Sequence, residues 1–227
     1  MTVRKLSGLK TIVTLSLLFN VFLISYIVYK QSSYFKKPFD QDHIKYAYQR
    51  NDLYKMFPVN KDDIVFLGDS HMQHFALPEF FIGSTLKNRG IHGDVTKGVF
   101  LRLDDVIKGK PKKIFLEVGT NDIYKGIKLD SSMLYVERIM ARVKQITPQT
   151  KLYVISVFPS VTVNPIDIIT YNLRLKEACK KQNITFLDLY SIYEKDGGLK
   201  TIYDSGDKLH LSPQGYVMLT KILTPYL

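Results

Sequence analysis

The stretch "IVFLGDSHMQHF", Ile64 to Phe75, decides the fold. It opens with a continuous apolar run rich in β-branched and aromatic residues. It then breaks at Gly68-Asp69-Ser70. Short unbroken apolar runs suit strands covered on both faces, as in a parallel sheet. Three later segments have the same form: "KIFLEVG" (Lys113–Gly119), "KLYVISVF" (Lys151–Phe158) and "NITFLDL" (Asn183–Leu189). A further short strand is expected near Thr85 to Asn88. Between these runs, apolar residues at helical spacing predict helices over Ser131–Thr147, Ile166–Lys181 and Pro213–Leu223. Strand alternating with helix implies α/β with right-handed crossovers. The expected architecture is a three-layer α/β/α sandwich, flavodoxin-like, with about five parallel strands.

Ligands of such sheets bind beyond the carboxyl ends of the strands. Polar groups gather in the sequence at that edge. Ser70 follows the first run, Gly90 and Gly93 the second, and Asn121 the third, in "VGTNDI". A serine needs a base within hydrogen-bond reach, and the base needs an orienting partner. "GDKLHLSPQGY" (Gly206–Tyr216) offers both, because Asp207 and His210 lie three residues apart. In that reading His210 takes the Ser70 proton and returns it to the leaving group. The backbone N–H groups of Ser70 and Gly93 and the side-chain amide of Asn121 are the candidate oxyanion donors. Each motif alone has a structural reading. "GDS" is a turn or helix cap. "GTND" is a strand-to-helix turn. "RGIHGD" is a loop. "DKLH" leads into a helix capped by Ser212 with Pro213 at its first position. The combination, at the ends of successive strands, favours chemistry.

In that order the segments "DIVFLGDSHMQHF", "NRGIHGD", "VGTND" and "DKLHLS" resemble the signature blocks of the SGNH/GDSL hydrolases. The resemblance runs from about Asp62 to Leu227 and is nearest to the group related to platelet-activating-factor acetylhydrolase and bacterial GDSL-like acyl esterases. It implies a serine esterase with no cofactor and no metal, acting through an acyl-serine. Ser70, Asp207 and His210 would be its catalytic residues, and Ser70, Gly93 and Asn121 its oxyanion hole. His71 and His92 depart from the pattern and are expected to line a substrate pocket. A metal site from His71, His74 and His92 is not expected, since H-x-x-H lacks the Glu and the i,i+4 spacing of the zinc peptidase helix. Asp69, Asp94 and Asp122 are expected to be structural.

The implied substrate is a short acyl ester, acetyl foremost, of a carbohydrate or lipid. The alternatives are an envelope O-acetyltransferase with the same triad, a lysophospholipase or thioesterase, and a non-catalytic glycan-binding scaffold.

The bulk numbers add limits. The net charge is +11, but the lysines are scattered and no nucleic-acid-binding motif is present, so no nucleic-acid partner is expected. The single cysteine, Cys179, excludes an intramolecular disulfide and reads as a small buried hydrophobe. "TIVTLSLLFNVFLISYIVY", Thr11 to Tyr29, carries no charge over 19 residues and follows Arg4, Lys5 and Lys10. That pattern predicts an uncleaved signal anchor over 1–30, a connector over 31–60 broken by Pro38, and the hydrolase domain over 61–227. The domain would face outward, in a bacterial envelope. A short helix is expected over His43–Phe57, with ragged apolar spacing.

Overall fold

The computed structural model describes residues 14–27, 41–81 and 85–227. Two units separate, Met1–Ile44 and Lys45–Leu227. In the first, residues 14–27 form helix α1, whose apolar side chains, among them Leu18, Phe19 and Phe22, are exposed. The expected membrane-spanning helix over Thr11–Tyr29 is not supported. Among the described residues no helix is long and apolar enough to cross a membrane. The flanking basic residues Arg4, Lys5 and Lys10, the ends of the apolar run, and residues 31–40 of the connector with Pro38 lie outside the described residues.

Helix α2, Gln41–Met56, occupies much of the remaining connector. Its Tyr54 hydroxyl donates to the Gly90 carbonyl at 2.7 Å, and the Arg89 guanidinium lies over the Tyr54 ring at 4.7 Å. The second unit therefore begins at Lys45 and takes in most of α2.

Then come β1 (Ile64–Gly68), α3 (Ser70–Gln73), α4 (Leu77–Phe80), β2 (Leu86–Gly90), α5 (Thr96–Leu101), α6 (Leu103–Ile107) and β3 (Lys113–Glu117). They are followed by α7 (Thr120–Tyr124), α8 (Leu129–Ile146), β4 (Lys151–Ile155), α9 (Pro165–Lys181), β5 (Thr185–Leu187) and α10 (Tyr190–Tyr193). A small hairpin of β6 (Glu194–Lys195) and β7 (Gly198–Leu199), a 3₁₀ turn at Thr201–Tyr203, α11 (Pro213–Leu223) and a second 3₁₀ turn at Thr224–Tyr226 close the chain. Five strands pair in parallel in the order β2-β1-β3-β4-β5. This is the flavodoxin-like order, and its topological switch lies between β1 and β3.

All five residues of β1 and all five of β3 are buried, as expected of central parallel strands. Alternation sorts their side chains into two cores. Val65, Leu67, Ile114 and Leu116 pack with α8 residues such as Val136 and Ile139 and with α9 residues such as Ile168 and Leu175. Ile64, Phe66 and Phe115 pack on the other face with Phe75, Leu211 and Leu219. Phe66 and Phe115 stack at 5.0 Å, and Phe115 stacks on Tyr153 at 4.8 Å. Each such ring contributes about 1.5–3 kcal/mol on burial. Cys179 lies in the first core, where burial pushes its thiol up to about 12, so it stays protonated and inert.

Candidate active site

Ser70 sits where β1 turns into α3. The Asp69 carboxylate caps that short helix by accepting from the His71 N–H at 3.0 Å. The cap orients the turn so that the Ser70 Oγ lies 2.9 Å from His210 Nε2. Ser70 is only 5% exposed, which leaves its hydroxyl largely desolvated.

His210 comes from a loop pinned at both ends. Asp204 and Leu211 form an antiparallel bridge, and the Ser212 N–H donates to the Tyr203 carbonyl at 2.8 Å. Inside the loop the Asp204 carboxylate accepts from the N–H groups of Gly206 and Lys208, at 2.8 and 2.9 Å. Ser160 reaches across from the β4–α9 connection and donates to the Lys208 carbonyl at 2.7 Å. The Asp207 carboxylate is then surrounded by donors. Its Oδ1 accepts from the N–H groups of His210 and Leu209 and from the Ser205 hydroxyl, at 2.8, 3.0 and 3.0 Å. Its Oδ2 lies 2.6 Å from His210 Nδ1. Partial desolvation alone would raise its pKa, but the His210 ring and the backbone N–H groups outweigh it and hold the carboxyl well below the usual range. A carboxylate accepts, so His210 Nδ1 carries the hydrogen and Nε2 turns its lone pair to the Ser70 hydroxyl. The three residues expected to form a triad are thus in contact, although 140 positions separate Ser70 from His210.

Gly93 adopts φ +75°, and a Cβ built there would meet nothing within 4 Å, so its backbone faces open space. Its carbonyl accepts from Lys125 Nζ at 2.7 Å, which holds the loop from behind. Gly119 has φ +140°, and a Cβ there would strike the Tyr171 ring at 2.4 Å. Only glycine makes that turn, which starts α7 and carries Asn121 to the same edge. The Asn121 amide already donates to the Asp94 carbonyl at 3.0 Å and, more weakly, to Asp69 Oδ2 at 3.3 Å. An oxyanion would have to displace the longer of the two. Asp94 pairs with Arg102 at 2.8 Å, while Asp122 accepts from the Thr96 N–H and from the Thr96 and Ser132 hydroxyls. Both are structural, as expected.

The two histidines expected in a pocket part company. His92 stands near the mouth, its ring 6.0 Å from that of His210 and 6.0 Å from that of His74. His71 does not line the mouth. It is 1% exposed, and its Nε2 lies 3.0 Å from the Leu209 carbonyl. Its ring is instead turned into the protein, 4.9 Å from the ring of Phe158. His74, exposed at the mouth 5.1 Å from His210, completes a rim of imidazoles. Desolvation and then the neighbouring imidazoles lower its pKa, which favours the neutral ring.

Beneath Ser70, one cluster escaped the sequence reading. Asp69, His71 and Glu117 each offer an atom within 4.8 Å of the others, and among the described residues they form the one group with metal-like spacing. Glu117 ends β3 and is fully buried. An apolar run with one acid in it was the available signal. Asp204, Lys125 and Ser160 gave no such signal, because their contacts come from loop geometry.

Residues 66–218 match the model of the GDSL-like Lipase/Acylhydrolase family. The chain is 30% identical over 171 residues to platelet-activating factor acetylhydrolase IB subunit alpha2 of Rattus norvegicus and to that of Homo sapiens, covering 71% of this chain and 74% of each relative. Among solved structures, a Streptococcus pneumonia protein described as a platelet activating factor superposes with a TM-score of 0.76 at 28% identity, covering 82% of this chain and 95% of the other. A GDSL-like lipase from Bacteroides thetaiotaomicron shares the fold, with a TM-score of 0.72 at 21% identity over 80% and 97% of the two chains.

Proposed function

From the premise that this chain belongs to the GDSL-like lipase/acylhydrolase family, we propose that it is an esterase that removes a short acyl group, acetyl foremost, from a carbohydrate or lipid. The observation that carries the reading is the Ser70–His210–Asp207 chain of contacts at 2.9 and 2.6 Å. His210 deprotonates Ser70 as it attacks the ester carbonyl, and Asp207 stabilises the imidazolium. The N–H groups of Ser70 and Gly93 and the Asn121 amide receive the oxyanion. The alkoxide leaves with the proton from His210, and water repeats the sequence on the acyl-serine. The crowding of His74 and His92 around His210 supports a short acyl chain.

The test is turnover of 4-nitrophenyl esters of increasing chain length by the full chain and by Ser70→Ala. The expected result is fastest turnover of acetate, with Ser70→Ala slower by about 10⁴-fold or more, since triad members act as a unit. A preference for long chains would replace the acetylesterase with a lipase or lysophospholipase. Acylated product on added acceptor sugars would make it a transferase. Turnover untouched by Ser70→Ala would remove the reading altogether.

An envelope location belongs to the same proposal and rests on the uncharged run over residues 11–29 alone. Its test is fractionation of cells making the full chain. Leu18→Asp with Phe22→Asp should move it from the membrane pellet to the supernatant, and a wild-type chain already in the supernatant would end the idea.

A further inference from the structure

The space behind the nucleophile holds three acceptors and too few donors. The His71 Nε2 contact is to the Leu209 carbonyl, which only accepts, so Nε2 carries the ring hydrogen. In the neutral ring Nδ1 then presents a lone pair. It faces Asp69 Oδ1 at 3.4 Å and Glu117 Oε2 at 3.9 Å, and it has no hydrogen-bond partner. Asp69 is bonded as an anion should be, accepting from the His71 N–H and the Asn121 amide. Both Glu117 oxygens lack a donor at 0% exposure. Three unshared acceptors in a dry cluster are costly, because each would forgo the hydrogen bonds water gave it. One proton on the cluster removes the largest cost, because it turns an uncompensated buried charge into a neutral acid with a donor for one neighbour. Glu117 is its natural holder, as the acid with nothing else to stabilise its charge.

We infer that Glu117 is a neutral acid packed against Asp69 and His71, its proton available to one of them at a time, and that this trio is a positioning device for the esterase reaction proposed above. Its links run to three parts of the site. Asp69 caps the Ser70 turn and holds the Asn121 amide. His71 grips the carbonyl of Leu209, the residue before His210. A proton shared toward Asp69 weakens its pull on Asn121, so the 3.3 Å bond yields to the oxyanion. An ionised Glu117 would do the reverse and keep the amide on Asp69. Burial, reinforced by the Asp69 charge, raises the Glu117 pKa well above the usual range and so supports the neutral form. The other ionisable groups around the cluster are Tyr171 of α9, Tyr216 of α11, Asp122 of α7, Asp94, Arg102, Lys125, His74 and His210. Burial raises both phenols, which stay neutral. Arg102 is engaged by Asp94 and by the carbonyl of Gly68, the strand partner of Glu117. A cation is the rival occupant. It needs at least four ligands, whereas the trio offers three, all closed to water.

Two measurements on the full chain test the inference. In a carboxyl-carbon NMR titration of glutamate-labelled protein, one resonance should stay in the protonated position through neutral pH and be missing in Glu117→Gln. In kinetics with 4-nitrophenyl acetate, wild-type kcat should fall at alkaline pH with KM steady. Glu117→Gln, which keeps a neutral donor of the same shape, should lose that fall and rescue activity. Glu117→Leu should lose about tenfold in kcat, the cost of an acceptor left without its donor. A Glu117 resonance that titrates with the other glutamates overturns the inference. So does an alkaline fall retained in Glu117→Gln. A stoichiometric divalent ion in the purified protein, whose removal by chelator abolishes activity, assigns the cluster to a metal instead. If no ester is turned over the functional reading fails, and the titration still decides where the proton is.

Discussion

Two carboxyl groups flank the reacting serine in opposite surroundings. Asp207 is on a surface loop, its side chain 49% exposed, and four hydrogen-bond contacts converge on its two oxygens. Glu117 lies at the end of a central strand, fully buried, with no donor to either oxygen. The first is held ionised and the second is pushed toward neutrality. The contrast teaches that hydrogen-bond donors and water set the charge of a carboxyl here, more than distance from the nucleophile does. An anion is useful where an imidazolium must form. A neutral acid is useful where another carboxylate, Asp69, already stands.

The comparison can be broken most directly at Asp207. Asp207→Asn should lower kcat by about 10⁴-fold, because the amide favours the wrong imidazole tautomer. A loss below tenfold would mean that His210 is oriented without its carboxylate, and the contrast between the acids would lose its functional meaning.

Asn121 belongs to both sides, since its amide touches Asp69 and is a proposed donor to the oxyanion. Asn121→Ala should cost about 10²–10³-fold in kcat. An unchanged rate would take it out of the oxyanion hole and leave it a strut between Asp69 and Asp94.

The smallest effect sharpens the contrast in stability. The raised Glu117 pKa means that the folded chain keeps a proton the unfolded chain releases. Stability should therefore decline as pH rises from the unfolded carboxyl range, about 4.3, through the raised folded value. The lowered Asp207 pKa has the opposite sign, with stability lost as pH falls through its folded value. Thermal melts across pH should show the alkaline decline flattened in Glu117→Gln and the acid decline flattened in Asp207→Asn. Parallel curves for all three proteins would mean that neither carboxyl is perturbed.

Much of this was legible before any coordinates. The apolar runs at Ile64, Lys113, Lys151 and Asn183 became β1, β3, β4 and β5, because a strand covered on both faces leaves an unbroken apolar signature. The second strand, "LKNRG", showed weakly because an edge strand is half covered and can carry polar residues. α8, α9 and α11 fell within two residues of their expected starts and ends. The helix over residues 41–56 was foreseen only in part, since its sequence carries a ragged apolar stripe. The membrane span was read from hydropathy alone, and among the described residues no helix is long and apolar enough to cross a membrane.

Ser70, Asp207 and His210 could be picked out as partners, and Gly93 and Asn121 as candidate donors, because local motifs at strand ends combine residue type with spacing. Whether His71 faces substrate or core, and whether Glu117 carries a proton, could not. Those answers depend on which groups from β1, β3 and the loop before α11 are brought together without water. Desolvation and donor count are properties of that assembled space, and no stretch of sequence contains them.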